Sequence, residues 1–239
     1  MSRIPPEERL IIALDVATPA EARELVASLG DAGHFYKIGL ELFMSPGFFG
    51  LLDWLRAEQK KVFVDLKFFD IPETVARAVA SLSERGADFC TVHGNQAIMQ
   101  AAAKARSIDK SGKLKVLVVT ALTSLDQGDL DDLGFKCDVA ELVLSRARRA
   151  LAAGCDGVVS SGLEVEKLKK EIGPKLVCVT PGIRPVENRA EADQKRVMTP
   201  TAAIKAGADY IVVGRPIRDA RDPRAAAEAI QSEIAAALT

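Results

Sequence analysis

Asp65, Lys67 and Asp70 stand at the spacing D-x-K-x-x-D, directly after the apolar run Val62-Phe63-Val64. Residues two apart on a strand share a face, so Asp65 and Lys67 are expected to point the same way. Charges at the end of a buried strand are costly unless paired. An acid and a base held together there can stabilise developing charge and move a proton. The alternative is a buried ion-pair network that only fills space. Asp70 also has a local reading. Asp70-Ile71-Pro72-Glu73 matches an N-cap acid with Glu three residues later, and Pro72 suits a first helical turn.

Positioning such a cluster takes a scaffold, and the chain has one in its pattern. Apolar runs at Leu10–Val16, Phe35–Leu40, Lys61–Lys67, Asp88–His93, Lys115–Leu122, Gly157–Ser161, Leu176–Pro181 and Tyr210–Arg215 read as strands. Amphipathic stretches near 19–29, 46–58, 73–85, 95–106, 138–153, 164–172, 200–206 and 223–237 read as helices. Alternating strands and helices at a length of 239 residues predict a single (β/α)8 barrel domain over 1–239. An open doubly wound sheet is the other solution, but Asp15-Val16-Ala17-Thr18-Pro19 lacks its glycine-rich turn. Gly86-Ala87-Asp88, Gly154-Cys155-Asp156 and Gly207-Ala208-Asp209 repeat a helix-to-strand turn with glycine at the helix C′ position. The stretches 123–137 and 184–199 carry no clear element and read as binding loops or lids.

In such a barrel the active site gathers where the strands end. Those ends carry Asp15, Lys37, Asp65 with Lys67, His93, Thr120 to Ser124, Ser160 with Ser161, Thr180 to Arg184, and Gly214-Arg215. The first three strands bring alternating acids and bases. The last two bring Thr180-Pro181-Gly182-Ile183-Arg184 and Val213-Gly214-Arg215-Pro216, the glycine and arginine chemistry of a phosphate site.

Composition excludes other classes. With 32 Lys+Arg against 33 Asp+Glu there is no basic excess of the kind that binds nucleic acid. The apolar runs are too short to cross a membrane. Glu7 and Glu8 interrupt any charged-then-apolar leader pattern, and the expected location is the cytoplasm. Cys90, Cys137, Cys155 and Cys178 are scattered and read as reduced core thiols. Two histidines, His34 and His93, rule out a His-rich metal site.

Taken in order, Ala13-Leu14-Asp15, Tyr36-Lys37-Ile38-Gly39, Asp65 through Thr74, Thr91-Val92-His93-Gly94, Leu122-Thr123-Ser124, Thr180 through Pro185, Asp193-Gln194 and Val213 through Pro216 resemble the bacterial orotidine 5'-phosphate decarboxylases. The likeness spans nearly the whole chain. It implies a carboxy-lyase that converts orotidine 5'-monophosphate to UMP, the last step of pyrimidine nucleotide synthesis, without metal or organic cofactor. It implies that Asp15 and Lys37 hold the ribose hydroxyls, with Lys37 also pairing with Asp65. Asp65 would lie beside the departing carboxylate and Lys67 would protonate C6. Asp70 and Thr74 would enter the site of the partner in a homodimer. Thr123 would sit near the base, with either it or Ser124 making the closest contact. Gln194, Arg215 and the Gly214 amide would hold the phosphate, with Arg184 supporting that loop. Two rivals share parts of the pattern. A Mg²⁺-dependent sugar-phosphate decarboxylase or synthase of related fold would need a carboxylate where Lys37 stands. A non-catalytic phosphate-binding barrel would not need Lys67.

Overall fold

The strands are short and rich in Ile, Val and Phe, which suits strands covered on both faces. The computed structural model describes residues 4–106, 113–185 and 197–239. In chain order the elements are β1 (Leu10–Ala13), α1 (Pro19–Leu29), β2 (Phe35–Gly39), α2 (Leu40–Phe43), α3 (Phe48–Ala57), β3 (Lys61–Phe68) and α4 (Pro72–Glu84). Next come β4 (Phe89–His93), α5 (Gln96–Arg106), β5 (Lys115–Val119), α6 (Gln127–Asp132), α7 (Val139–Ala152), β6 (Gly157–Val159) and α8 (Gly162–Ile172). The chain closes with β7 (Val177–Thr180), α9 (Pro200–Lys205), β8 (Tyr210–Val213), α10 (Arg215–Arg218) and α11 (Pro223–Ala237). Each strand pairs in parallel with the next, and β8 returns to β1, so the sheet is a closed barrel. The predicted (β/α)8 fold is therefore the one observed.

Closure sorts the residues of every strand into two sets. Ile12, Tyr36, Val64, Cys90, Val118 and Ile211 face outward, into the layer shared with the helices. Ile11, Phe35, Phe63, Phe89, Leu117, Val179 and Tyr210 face inward. Four of the inward rings meet edge to face, with centroids 4.9 Å apart for Phe35–Phe89 and 5.0 Å for Phe89–Tyr210. Such contacts suit the quadrupoles of aromatic rings. They fill the lower barrel, so any cavity must open at the other end. Stepping two residues on from this plug leads to Ala13, Lys37, Asp65, Thr91 and Val212. The polar positions among them sit at the C-terminal mouth.

The repeated Gly-x-Asp turn does more than reverse the chain. Gly86, Gly154 and Gly207 have φ of +75°, +87° and +100°, the left-handed C′ geometry expected of them. The aspartate that follows accepts the backbone N–H of the second residue of the preceding strand. Asp88 takes Val62, Asp156 takes Val116 and Asp209 takes Cys178, each at 2.8 Å. Each also pairs with a helix cation: Asp88 with Arg56, Asp156 with Arg106 and Asp209 with Lys169. These three staples tie strand starts together at the closed end.

Two expectations change. The stretch 123–137 holds α6, opened by a capping box in which Asp126 and Asp129 exchange backbone bonds. Six residues are too few for a helical period to show. Cys137 is only partly buried, while Cys90, Cys155 and Cys178 are core thiols.

Asp156→Ala would leave the Val116 N–H without its acceptor and Arg106 without its carboxylate at the closed end. We expect a loss of about 2–4 kcal/mol in urea unfolding, from an orphaned buried donor and a broken ion pair. A midpoint unchanged from wild type would refute the staple.

Candidate active site

β3 is the least regular strand, and it carries the chemistry. It runs in step with β2 from Phe35↔Lys61 to Gly39↔Asp65. Against β4 its register jumps from Val64↔Cys90 to Phe68↔Val92. Four residues on β3 thus span two on β4, a bulge at Asp65-Leu66-Lys67. Lys67 has φ +50°, a left-handed conformation that costs a residue with a side chain about 1–2 kcal/mol. Side-chain contacts hold it there. Lys67 Nζ donates to Asp65 Oδ2 at 3.0 Å. The Thr91 hydroxyl donates to Asp65 Oδ1 at 2.8 Å and accepts the Lys67 backbone N–H at 2.9 Å. Asp65 and Lys67 do converge, but through the bulge and not through simple two-residue alternation.

Asp15 follows the end of β1, where Leu14 N–H bonds Lys37 O and keeps the two chains parallel. Lys37 Nζ donates to Asp15 Oδ1 at 2.7 Å. The lysine is 12% exposed and its acid 46%, so the cation is the buried member of this pair. Lys37 lies over Gly39, where an added Cβ would come within 3.3 Å of Nζ. Among the described residues the ion pair of Asp65 is with Lys67 and that of Lys37 is with Asp15. Arg218 on α10 was missed in the sequence. It donates to the Asp15 carbonyl, grips Asp219 through Nε and Nη2, and lines the cavity. Its spacing of three from Arg215 on a one-turn helix was the available signal.

Across the mouth, Ile183 forms a bridge with Met198, and Arg184 N–H bonds Met198 O at 3.0 Å. This pins the base of the 184–199 segment. Arg184 is 8% exposed. Gln194 lies outside the described residues. A cavity of about 460 Å³ joins the two sides. Asp15, Lys37, Asp65, Lys67, Thr123, Arg184, Gly214 and Arg215 all line it, above an apolar floor that includes Ala13, Phe63, Val119 and Val159. Thr123 lines the cavity and Ser124 does not.

Asp70 and Thr74 stand apart from this cavity, and both are exposed. The capping box expected for Asp70 does not form. The N-cap is Ile71, whose φ of −51° and ψ of 135° are those of a residue pushed extended by the following proline. The helix therefore begins at Pro72, as expected, and Asp70 is one residue too early to cap it. Among the described residues its Oδ1 accepts the adjacent Ile71 N–H, at 2.6 Å. Asp70 lies instead in a second hollow with Phe69, Pro72, Asn95, Ala97 and Ile98.

A family model described as "Orotidine 5'-phosphate decarboxylase / HUMPS family" matches residues 8–230. The chain belongs to this family. It is 67% identical over 231 residues to the orotidine 5'-phosphate decarboxylase of Methylococcus capsulatus, covering 97% of this chain and 93% of that one. It is 52% identical to the protein of the same name from Rhodopseudomonas palustris, covering 98% and 97%. Its fold superposes on the crystal structure of orotidine 5'-phosphate decarboxylase from Lactobacillus acidophilus with a TM-score of 0.83, at 37% identity, covering 94% and 98%.

One further group of this family member's mouth is titratable. His93 ends β4 beside the Phe69 ring, with centroids 5.0 Å apart. Burial holds its imidazole below the usual range, and the nearby Arg146 and Lys67 cations push the same way. The unfolded chain, with an ordinary histidine near pH 6.5, binds a proton that the folded state resists. Stability should therefore fall as pH drops from about 6.5 through the lowered folded value. In urea melts between about pH 7.5 and 5.5, His93→Gln should lose less stability than wild type. Equal losses would show that His93 does not carry the effect.

Proposed function

We propose that this protein decarboxylates orotidine 5'-monophosphate to UMP in the cytoplasm, as a carboxy-lyase of pyrimidine nucleotide synthesis. The observation that carries the reading is the cavity itself. A lysine ammonium held by a partly buried carboxylate stands on one side, and Arg215 with Gly214 on the other. That is the polarity of a nucleotide with its reacting base at one end and phosphate at the other. Its volume suits a ligand of this size. Asp15 and Lys37 bind the ribose hydroxyls, and Thr123 lies beside the base. Arg215, the Gly214 amide and Gln194 take the phosphate, with Arg184 supporting their loop.

The chemistry follows from the substrate. Breaking the C6–carboxylate bond releases neutral CO2 and leaves an electron pair in the ring plane, out of reach of the π system. An electron-sink cofactor has no handle on it, so electrostatic stabilisation is what remains. Lys67 supplies the positive charge and then its proton to C6, ending as a neutral amine. Asp65 holds Lys67 in place beside the departing group. The Mg²⁺-dependent rival is disfavoured because Asp15 and Asp65 each carry a lysine partner, and those ammonium groups repel a cation.

Asp70 and Thr74 serve the site of a second copy. Neither lines its own chain's cavity, and Asp70 is flanked by Phe69 and Ile71, which are 68% and 70% exposed. Apolar side chains this open beside a functional acid suit a face that a partner covers.

Metal-free protein, prepared with EDTA, should consume orotidine 5'-monophosphate, followed by its ultraviolet absorbance. Lys67→Ala should lower turnover by at least about a thousandfold, the combined scale of a lost charge and a lost general acid. No turnover by wild type, activity only after adding Mg²⁺, or full activity in the variant would sink the reading.

Mixing inactive Asp70→Ala and Lys67→Ala proteins tests the shared site separately. Hybrid dimers should regain activity, because one of their two sites then receives both wild-type residues. If subunits exchange and activity stays lost, Asp70 acts within its own chain.

A further inference from the structure

Thr91 is wholly buried on β4, facing into the barrel two residues after Phe89. It does not line the cavity. Its hydroxyl nevertheless makes two bonds into the bulge, donating to Asp65 Oδ1 and accepting from the Lys67 N–H. Lys67 is therefore tied to one carboxylate at both ends, directly through Nζ and through Thr91 at its backbone. Other buried hydroxyls at strand ends do less: among the described residues Thr120, just past the adjacent strand β5, donates only to the Val159 carbonyl. Ser160 Oγ and Thr180 Oγ1 are also buried and have no hydrogen-bond partner among the described residues.

We infer that Thr91 is a positioning residue that sets the aim of Lys67. The inference rests on the decarboxylase reading of the site. A left-handed backbone at a lysine persists only where its surroundings over-determine it. Thr91 supplies that constraint, and its β-branched side chain restricts where the hydroxyl can go. Removing the hydroxyl leaves the Lys67 N–H without its acceptor and Asp65 with one donor fewer. The bulge then relaxes toward ordinary strand geometry, and Nζ moves off line. Small displacements of a reacting group are expensive in rate. The contacts proposed for ribose and phosphate do not involve Thr91, so binding is spared.

Thr91→Val is nearly the same shape without the hydroxyl, and Thr91→Ser keeps the hydroxyl without the methyl. Steady-state kinetics with orotidine 5'-monophosphate should show kcat of Thr91→Val down about 10- to 100-fold, with KM within about threefold of wild type. Thr91→Ser should recover kcat to within about fivefold of wild type. Thr91→Ala carries the same test if the valine variant does not fold, as judged by its thermal melt. The inference is overturned if a folded variant without the hydroxyl keeps wild-type kcat. It is also overturned if KM alone changes, or if serine loses as much kcat as valine, which would assign the effect to packing. Wild-type protein that fails to turn over the substrate would instead overturn the decarboxylase reading.

Discussion

The Asp65 carboxylate takes Lys67 Nζ on one oxygen and the Thr91 hydroxyl on the other. A carboxylate at this depth, 14% exposed, costs several kcal/mol to bury unless donors replace the water it loses. Both oxygens have such donors. The lysine is the more open partner at 39%, so the acid is the fixed point and the ammonium reaches into the cavity. The arrangement needs a strand that departs from its pleat, because the lysine backbone must turn back to bring Nζ and N–H to the same neighbourhood. The bulge in β3 supplies that turn.

A bulge and a left-handed lysine are affordable only on a rigid frame. The aromatic plug of Phe35, Phe63, Phe89 and Tyr210 fills the barrel beneath them. At the closed end, Asp88, Asp156 and Asp209 join strand starts to helix cations. Charges are thus used twice in one fold, for different ends. At the strand starts Oδ2 of each acid accepts both a backbone N–H and a cation, so these charges serve the frame. At the strand ends Asp15, Lys37, Asp65 and Lys67 line open space.

Much of this was legible from residue order, for a physical reason. A closed parallel sheet puts every inward residue on a period of two, so a polar residue just past an apolar run marks the mouth. That pattern puts Asp15, Lys37, Asp65, Lys67, Gly214 and Arg215 at the mouth, and all six line the cavity. What escaped depends on geometry that no short pattern encodes. The left-handed Lys67 follows from register between β3 and β4. The uncapped Asp70 follows from Pro72 acting on Ile71, one residue away from the box motif. The short helix α6 has no full period to read. Thr91 looked like ordinary strand composition, because threonine favours strands whether or not its hydroxyl is used.

The way Asp65 is held also bears on how it contributes to decarboxylation. Repulsion between two carboxylates ~4 Å apart is roughly 4 kcal/mol at an effective dielectric of about 20. The attraction between Asp65 and an ammonium at 3.0 Å is of similar or greater size on the same scale. An Asp65 already paired with Lys67 therefore presents mostly a dipole to the substrate, and ground-state repulsion is a secondary term. Charge bookkeeping points the same way. Before reaction the site holds the substrate carboxylate, Asp65 and the Lys67 ammonium, three charges with a sum of −1. In the proposed mechanism CO2 leaves and Lys67 gives its proton to C6, after which only Asp65 is charged and the sum is unchanged. That mechanism consumes the substrate carboxylate and the ammonium together, and it leaves Asp65 with the Thr91 hydroxyl and a neutral amine as its donors. In that proposal Asp65 serves best as the fixed counter-ion that keeps Lys67 aimed until the proton moves.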